Sequence, residues 1–178
     1  MERRDFIEAL LNKREIYLDD YINDESVEKI IKLLMFLNAK NDSEEITLYI
    51  NSNGGEVVEG LRLYNFIKHI LSAPVTGIVI GNADSMAIVV LQACKIRKAL
   101  KTSTFYLHNL RLEVKKEWNE FKSFAEKELE GIKKAQEEVF QILGEIGKLK
   151  EIKELSERKT TIDANQAFEL GLIDEIVS

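Results

Sequence analysis

Residues 75–80 (VTGIVI) decide the fold class of this chain, and residues 81–87 (GNADSMA) follow them directly. The first stretch is almost continuous in apolar and β-branched residues, without the alternation of a half-exposed strand. Such a stretch is typical of a strand in a largely parallel sheet, where helices cover both faces. Residues 86–93 then predict a buried helix. The order of strand, polar turn and helix therefore predicts an α/β fold.

The same alternation extends to both sides of this stretch. Residues 15–18, 46–51 and 104–107 are predicted strands. A helix capped by Asp24 and Ser26 precedes the second of these strands, and a capping box at residues 163–166 (DANQ) opens a short helix near the C-terminus. After the glycine turn at residues 51–55 the chain predicts a further helix, whose apolar positions are Val58, Leu61, Tyr64, Phe66 and Ile67.

Composition limits the class of protein. The chain has 178 residues, 45% hydrophobic and 31% charged, which fits one globular domain. Its net charge of −6 argues against general binding to nucleic acid or anionic lipid. The first residues lack the apolar segment of a secretory signal, and a polar group at residues 82–85 interrupts the longest apolar stretch. We therefore expect no membrane span, a cytoplasmic protein, and a buried, unreactive Cys94.

Residues 116–149 are highly charged and carry an apolar stripe at helical spacing. A helix of about 30 residues would be about 45 Å long, longer than a domain of this size can cover. We expect it to project and to bury its stripe against a partner subunit. The alternative is a break near Gly131 or Gly144, after which the chain folds back on its own domain. The stripe comprises Phe121, Ala125, Ile132, Ala135, Val139, Ile142 and Ile146.

Two side chains are candidates for chemistry. Ser85 follows a strand and opens a helix, where free N–H groups favour developing negative charge, so it could be a nucleophile. A serine at this position could equally be an ordinary helix N-cap. His108 ends a strand, where its ring could face a cleft as a general base or have only a structural role. The other histidine, His69, is expected on a helix surface.

Gly54 and Gly55 end the predicted strand at residues 46–51. Glycines at such a turn let a backbone N–H approach a ligand closely, as an oxyanion site requires. The pair could also be a plain strand-to-helix turn or a phosphate site. A nucleotide site is not expected, because neither a Gly-x-Gly-x-x-Gly pattern nor a Lys-Ser/Thr pair accompanies it.

Taken together, five segments of the chain resemble the Clp protease proteolytic subunit, a serine peptidase of the crotonase-like superfamily. The resemblance runs from about residue 15 to the C-terminus and implies a crotonase-like spiral of strand–helix units with a long projecting handle helix. It implies one domain over residues 1–178, with a head at about 1–109, the handle at 110–155 and a C-terminal head segment at 156–178. The five segments are residues 15–18 (EIYL), 46–55 (ITLYINSNGG), 81–87 (GNADSMA), 106–109 (YLHN) and 167–174 (AFELGLID).

The resemblance also implies roles for individual residues. Ser85 would be the nucleophile, His108 the general base, and the backbone N–H groups of Gly55 and Met86 the oxyanion hole. The subunit would form heptameric rings that stack in pairs through the handle and enclose a chamber for unfolded polypeptides. An AAA+ unfoldase would feed the chamber, and neither a metal nor an organic cofactor would be needed.

The chain departs from this family at several positions. The family's catalytic aspartate aligns with Lys159, and Asn53 stands where a proline is usual. The segment that forms axial loops in the family is short here, and residues 110–114 (LRLEV) replace a glycine-rich stretch that aligns substrate. Asp163 could take over the role of the missing acid, or a lysine, Lys127 or Lys159, could form a Ser–Lys dyad.

Two further functions remain compatible with the sequence. One is a weakly active or inactive ring subunit that supports an active paralogue. Lys159, at the position of the family's catalytic aspartate, suggests this function. The other is a crotonase-type acyl-CoA enzyme, which would share the fold and the oxyanion hole. The spacing of Ser85 and His108 favours peptidase chemistry over this last function.

Overall fold

The computed structural model describes residues 9–111 and 121–177, with side chains from residue 129 onward in the second range. The strands within these ranges are β1 (Glu15–Leu18), β2 (Ile46–Ser52), β3 (Val75–Ala83), β4 (Ile96–Leu100), β5 (Thr104–Leu107), β6 (Thr160–Asp163) and β7 (Glu175–Val177). The helices are α1 (Asp24–Lys40), α2 (Val57–Asn65), α3 (Met86–Gln92), α4 (Phe121–Gly144), α5 (Leu149–Glu157) and α6 (Ala164–Glu169).

The sheet has a parallel part and a branch. Five strands lie in the order β1-β2-β3-β4-β7, and all of their pairings are parallel. The branch starts near the end of β3, where Asn82 pairs with Thr104 of β5, and β5 then pairs antiparallel with β6. The C-terminal ends of β2, β3 and β5 thus meet in one region. This confirms the predicted α/β class; the spiral arrangement and the projecting handle stay predictions.

The largely apolar pattern of residues 75–79 and of α3 corresponds to burial, with Ile78 half-buried. Val75 and Val79 of β3 are at most 3% exposed, and every residue of α3 is buried. Neither element shows a polar face in the sequence, because neither faces solvent. The central part of the core is therefore predictable from residues 75–93 alone.

Two local predictions were wrong in detail. Asn23, rather than Asp24, is the N-cap of α1; its side chain accepts from the Ser26 N–H, and Ser26 reciprocates. In the helix after the glycine turn, Val58 is 74% exposed instead of buried. A π-helical turn at Phe66–Ile70 follows α2. The buried residues of this segment are Gly60, Leu63, Tyr64 and Ile67.

The predicted continuous helix over residues 116–149 is interrupted in the structure after Gly144. Helix α4 has 24 residues, about 36 Å, and ends at Gly144 before α5 begins at Leu149. Val139, Ile142 and Leu143 belong to the buried core, so α4 packs on its own domain just before Gly144, whereas Ile146, the last residue of the stripe, is 53% exposed. That part follows the alternative of a break at Gly144. Residues 112–120 lie outside the described ranges.

A buried guanidinium fixes the C-terminal segment to β4. Arg97 is 2% exposed, and its Nε donates to Asp174 Oδ2 at 3.0 Å while its Nη1 donates to the Gly171 carbonyl at 2.9 Å. Partial burial alone would raise the pKa of the Asp174 carboxyl. The hydrogen bonds and charge of Arg97 outweigh this effect, so that pKa lies below its usual value.

Asp174→Asn is expected to make the stability less dependent on acid pH. A pKa that is lower in the folded than in the unfolded chain stabilises the fold fully above the unfolded value, about 3.9. This contribution is lost as the pH falls through the folded pKa. Urea midpoints should therefore be lower for the variant at pH 7 and converge with wild type below about pH 4. Glu175→Gln, which removes only an exposed pair with Lys98, is the control; equal midpoints of Asp174→Asn and wild type at pH 7 would contradict the prediction.

Cys94 is 5% exposed and lies in the core, as the sequence predicts. Burial raises the pKa of its thiol to about 12, and nearby Arg97 only partly opposes this shift. A thiol with such a pKa is almost entirely protonated at neutral pH and is a poor nucleophile. Over the described ranges, none of the helices combines the length and the apolar character needed to cross a membrane.

Candidate active site

Ser85 occupies a strained turn between β3 and α3. Its backbone has φ 52° and ψ −120°, a conformation that side-chain-bearing residues rarely adopt. Such strain costs about 1–3 kcal/mol and persists where the surroundings enforce it, commonly at functional sites. The Ser85 side chain makes no capping hydrogen bond, which argues against the ordinary N-cap. A sharp, strained strand-to-helix turn is the geometry that exposes a nucleophilic serine in other hydrolases.

The glycine turn points a free backbone N–H into this region. The Ile22 N–H donates to the Gly54 carbonyl at 2.9 Å, and the Glu56 N–H donates to the Ile22 carbonyl at 2.8 Å. Gly55 lies between these two bonds in a parallel bridge, so its own N–H points away from Ile22. Within the described ranges, the N–H groups of Gly55 and Met86 have no backbone or side-chain acceptor. Both are available to an oxyanion.

Gly54 packs directly on the serine turn. A Cβ at this position would lie 2.5 Å from the Asp84 carbonyl oxygen and 2.9 Å from the Met86 nitrogen, and its φ is 80°. Both the backbone conformation and the contact exclude a larger residue. The turn that carries Gly55 is thus held against the turn that carries Ser85.

Gly54→Ala is expected to destabilise the protein by about 1–3 kcal/mol, because it adds backbone strain and a contact with main-chain atoms. The midpoint of urea unfolding measures this loss. Gly131→Ala is the control, since a Cβ there would meet nothing within 4 Å. Alanine is the better helix former by about 0.5–1 kcal/mol, so the control should be stabilised. A Gly54→Ala variant as stable as wild type would contradict the packing argument.

His108 follows β5, and its ring is held by a main-chain oxygen. The Nδ1 atom lies 2.7 Å from the Asn109 carbonyl oxygen. A carbonyl only accepts hydrogen bonds, so Nδ1 carries the proton and donates it. In the neutral ring Nε2 is then free to accept a proton, which is the tautomer that a general base needs. The ring also packs on Tyr106, with the two ring centroids 5.2 Å apart.

Ser85 and His108 share the walls of two adjoining cavities. The smaller, of about 20 Å³, is largely apolar and also contacts Met86. The larger, of about 450 Å³, also contacts Gly55. The structure thus gathers all four residues singled out from the sequence at one cleft. Other walls of the small cavity come from α3, β5, α4 and α5, including Ile88, Val89, Leu107, Val139, Phe140 and Leu143.

Asp163, the carboxylate that the sequence offers in place of the missing acid, lies away from His108. Asp163 pairs with Thr104 at the other end of β5, about 13 Å along the strand, and its side chain caps α6 through the Gln166 N–H. Lys159 is exposed, with φ 53°; the β5–β6 register, continued by one pair, sets it opposite His108. The side chain of Lys127 lies outside the described part of the chain.

Sequence reasoning missed three groups around the cleft. The Asn109 carbonyl holds the His108 ring, and the Asp84 carboxylate accepts from the Tyr106 N–H at 2.9 Å. On the far side, the Gln136 side chain of α4 accepts from the Leu110 N–H at 2.6 Å. The last two contacts connect residues that are 22 and 26 positions apart in the chain, so no local sequence pattern predicts them.

The comparison with known families agrees with this arrangement. A family model described as Clp protease matches residues 1–178, the full length of the chain. The match includes the glycine turn, the strained serine turn and the histidine strand that meet at the cleft. Together, the cleft and the full-length match show that this chain belongs to the Clp protease family.

Proposed function

We propose that this chain is the serine endopeptidase subunit of a self-compartmentalising Clp-like protease. Ser85 is the nucleophile, His108 the general base, and the N–H groups of Gly55 and Met86 form the oxyanion hole. The single observation that carries the proposal is the strained, uncapped Ser85 at a cleft shared with a histidine whose Nε2 is free to accept a proton. Membership of the Clp protease family supports a peptidase more generally.

The proposed reaction is acyl transfer in two steps. Ser85 Oγ attacks the scissile carbonyl while His108 Nε2 takes its proton, and the developing oxyanion accepts from the Gly55 and Met86 N–H groups. His108 then protonates the leaving amine, and water hydrolyses the acyl-enzyme with His108 again acting as base. The Asn109 carbonyl orients the ring, but as a neutral group it stabilises the imidazolium less than a carboxylate would.

We further propose that the substrates are unfolded polypeptides and that the subunits assemble into stacked heptameric rings served by an AAA+ unfoldase. The larger cavity, about 450 Å³ and open, supports an extended chain across the site. The small apolar cavity beside Ser85 supports an apolar side chain next to the scissile bond. Exposed apolar side chains at Tyr17, Met35 and Phe36 support burial of further surface in an assembly.

A weakly active or inactive supporting subunit is the second candidate. Among the described residues, the hydrogen-bond partner of His108 is a neutral carbonyl, and the register sets a cation opposite the ring. In a well-studied triad, replacing the carboxylate lowered turnover by about 10⁴. This candidate predicts an assembled protein without turnover.

A fluorophosphonate separates the two candidates, because it forms a covalent adduct only with an activated serine. The full-length chain is incubated with the probe, and the adduct is located by peptide mass mapping. We expect one adduct at Ser85, absent from Ser85→Ala and retained in Ser72→Ala, which removes an exposed serine outside the cleft. A folded, assembled wild type without an adduct would favour the supporting subunit.

A further inference from the structure

We propose that Asp84 is a positioning residue that locks the serine turn, the glycine turn and the histidine strand into one rigid unit. The inference rests on the proposed roles of Ser85 and His108 and adds a residue to the reaction that neither the motif order nor the family match assigns. Its basis is the set of hydrogen bonds that converge on this one residue, from three separate segments of the chain.

The first connection joins the serine turn to the histidine strand. Asp84 Oδ1 accepts from the Tyr106 N–H at 2.9 Å, and the Ser85 N–H donates to the Tyr106 carbonyl at 2.9 Å. Both main-chain groups of Tyr106 are therefore held by two consecutive residues of the turn. Tyr106 lies two residues, about 6.6 Å, before His108 and on the same face of the strand. This two-point contact fixes how far His108 lies from Ser85.

The second connection joins the serine turn to the glycine turn. Asn82 Nδ2 donates to Asp84 Oδ2 at 2.9 Å and to Asn53 Oδ1 at 2.8 Å. The Asp84 N–H donates to the Ser52 carbonyl at 2.9 Å, just before the glycines. Asn53 thus holds its turn through a side-chain bridge. Asp84 consequently couples the oxyanion donors to the nucleophile.

We call the hydrogen bonds made by Asp84 the clamp. Its loss should lower the reaction rate more than it weakens substrate binding. A displacement of about 1 Å in a catalytic group can cost about 10²-fold in rate. Asp84→Ala leaves every wall of the cleft intact while releasing Tyr106 and Asn82. We expect the rate of fluorophosphonate labelling and the kcat for a fluorogenic peptide to fall about 100-fold, with KM changed less than about threefold.

Two milder variants resolve which connection matters. Asp84→Asn keeps an acceptor for the Tyr106 N–H and loses only the bond to Asn82, because two amide NH₂ groups cannot pair. It should keep most of the activity, whereas Asn82→Ala, which also loses the bond to Asn53 Oδ1, should be slower. Asp163→Ala is the matched control: its carboxylate also accepts from a main-chain N–H, yet it caps α6 away from the cleft. Its labelling rate should equal that of wild type.

Hydrogen exchange tests the clamp without relying on activity. In Asp84→Ala, peptides covering residues 81–88 and 104–108 should exchange faster than in wild type, whereas Asp163→Ala should leave 81–88 unchanged. Wild type that fails to label overturns the proposed function, but faster exchange in both peptides would still support the clamp. Unchanged exchange, labelling within threefold of wild type, or an equal loss in Asp163→Ala would overturn it.

Discussion

Replacing His108 by alanine is expected to lower the kcat for peptide hydrolysis by about 10⁴ to 10⁶. The larger figure is the loss measured when the histidine of a complete triad is removed, and the smaller allows for the neutral acceptor found here. His108 is the imidazole that shares both cavities with Ser85, and its Nε2 is free because Nδ1 donates to the Asn109 carbonyl. Without it, Ser85 keeps its proton at neutral pH and the oxyanion donors act alone.

The chain supplies its own control for this experiment. His69 lies in the π-helical turn after α2, where its ring packs edge-on against Tyr64, away from the cleft. His69→Ala should leave kcat within about twofold of wild type. The test is the initial rate of hydrolysis of a fluorogenic peptide, measured on variants that assemble to the same extent. Equal rates for His108→Ala and wild type would remove His108 from the mechanism.

Lys159→Asp is expected to raise the kcat by about tenfold or more. An ionised acceptor strengthens a hydrogen bond by about 1–1.5 kcal/mol over a neutral one, which corresponds to about tenfold in rate. The upper bound is about 10⁴, the loss on removing a triad carboxylate. The β5–β6 register sets position 159 opposite His108. Aspartate also tolerates the positive φ of 53° at this position better than lysine does.

Two control variants distinguish the effect of the new carboxylate from the effect of losing the lysine charge. Lys159→Asn removes the cation and suits the backbone but adds no anion, so its gain should be smaller. Arg158→Asp makes the same change of net charge one residue away, at the C-cap of α5, and should give no gain. If Lys159→Asp is no faster than Lys159→Asn, the carboxylate does not reach His108, and the Asn109 carbonyl remains its orienting partner. A slower Lys159→Asp variant would favour a role for the lysine itself.

Local sequence patterns predict much of the secondary structure and of the core of this protein. The largely apolar residues 75–80 and 86–93 predict a core that is covered on both faces; every residue of α3 is buried, and in β3 Val75, Val79 and Ala83 are buried while Ile78 and Ile80 are half-buried. The capping box at Asp163 is present as predicted, because both of its hydrogen bonds form within four residues. Gly54, Ser85 and His108 each follow a strand, and their order along the chain was sufficient to predict a shared cleft.

Other features depend on contacts between distant segments. The apolar positions after the glycine turn include Val58, which is exposed, whereas Gly60, Leu63 and Tyr64 are the buried residues of α2. The long apolar stripe does not reveal that Val139 and Ile142 pack on the domain core just before Gly144, while Ile146 beyond it is exposed. In each case the periodic signal identifies a helix, and tertiary packing decides which face is covered and where the helix ends.

The sequence by itself determined the α/β class, the main elements and the identity of the serine, histidine and glycines at the cleft. The class and the elements follow from hydrophobic period and turn chemistry, which act over a few residues, whereas the residues of the cleft are expected from the five segments that resemble the Clp protease family. Only the tertiary structure decided that Ser85 is strained and uncapped, that a main-chain oxygen orients His108, and that Asp84 joins three segments. Strain and hydrogen-bond partners depend on distances between atoms, and these distances are fixed by packing rather than by residue order.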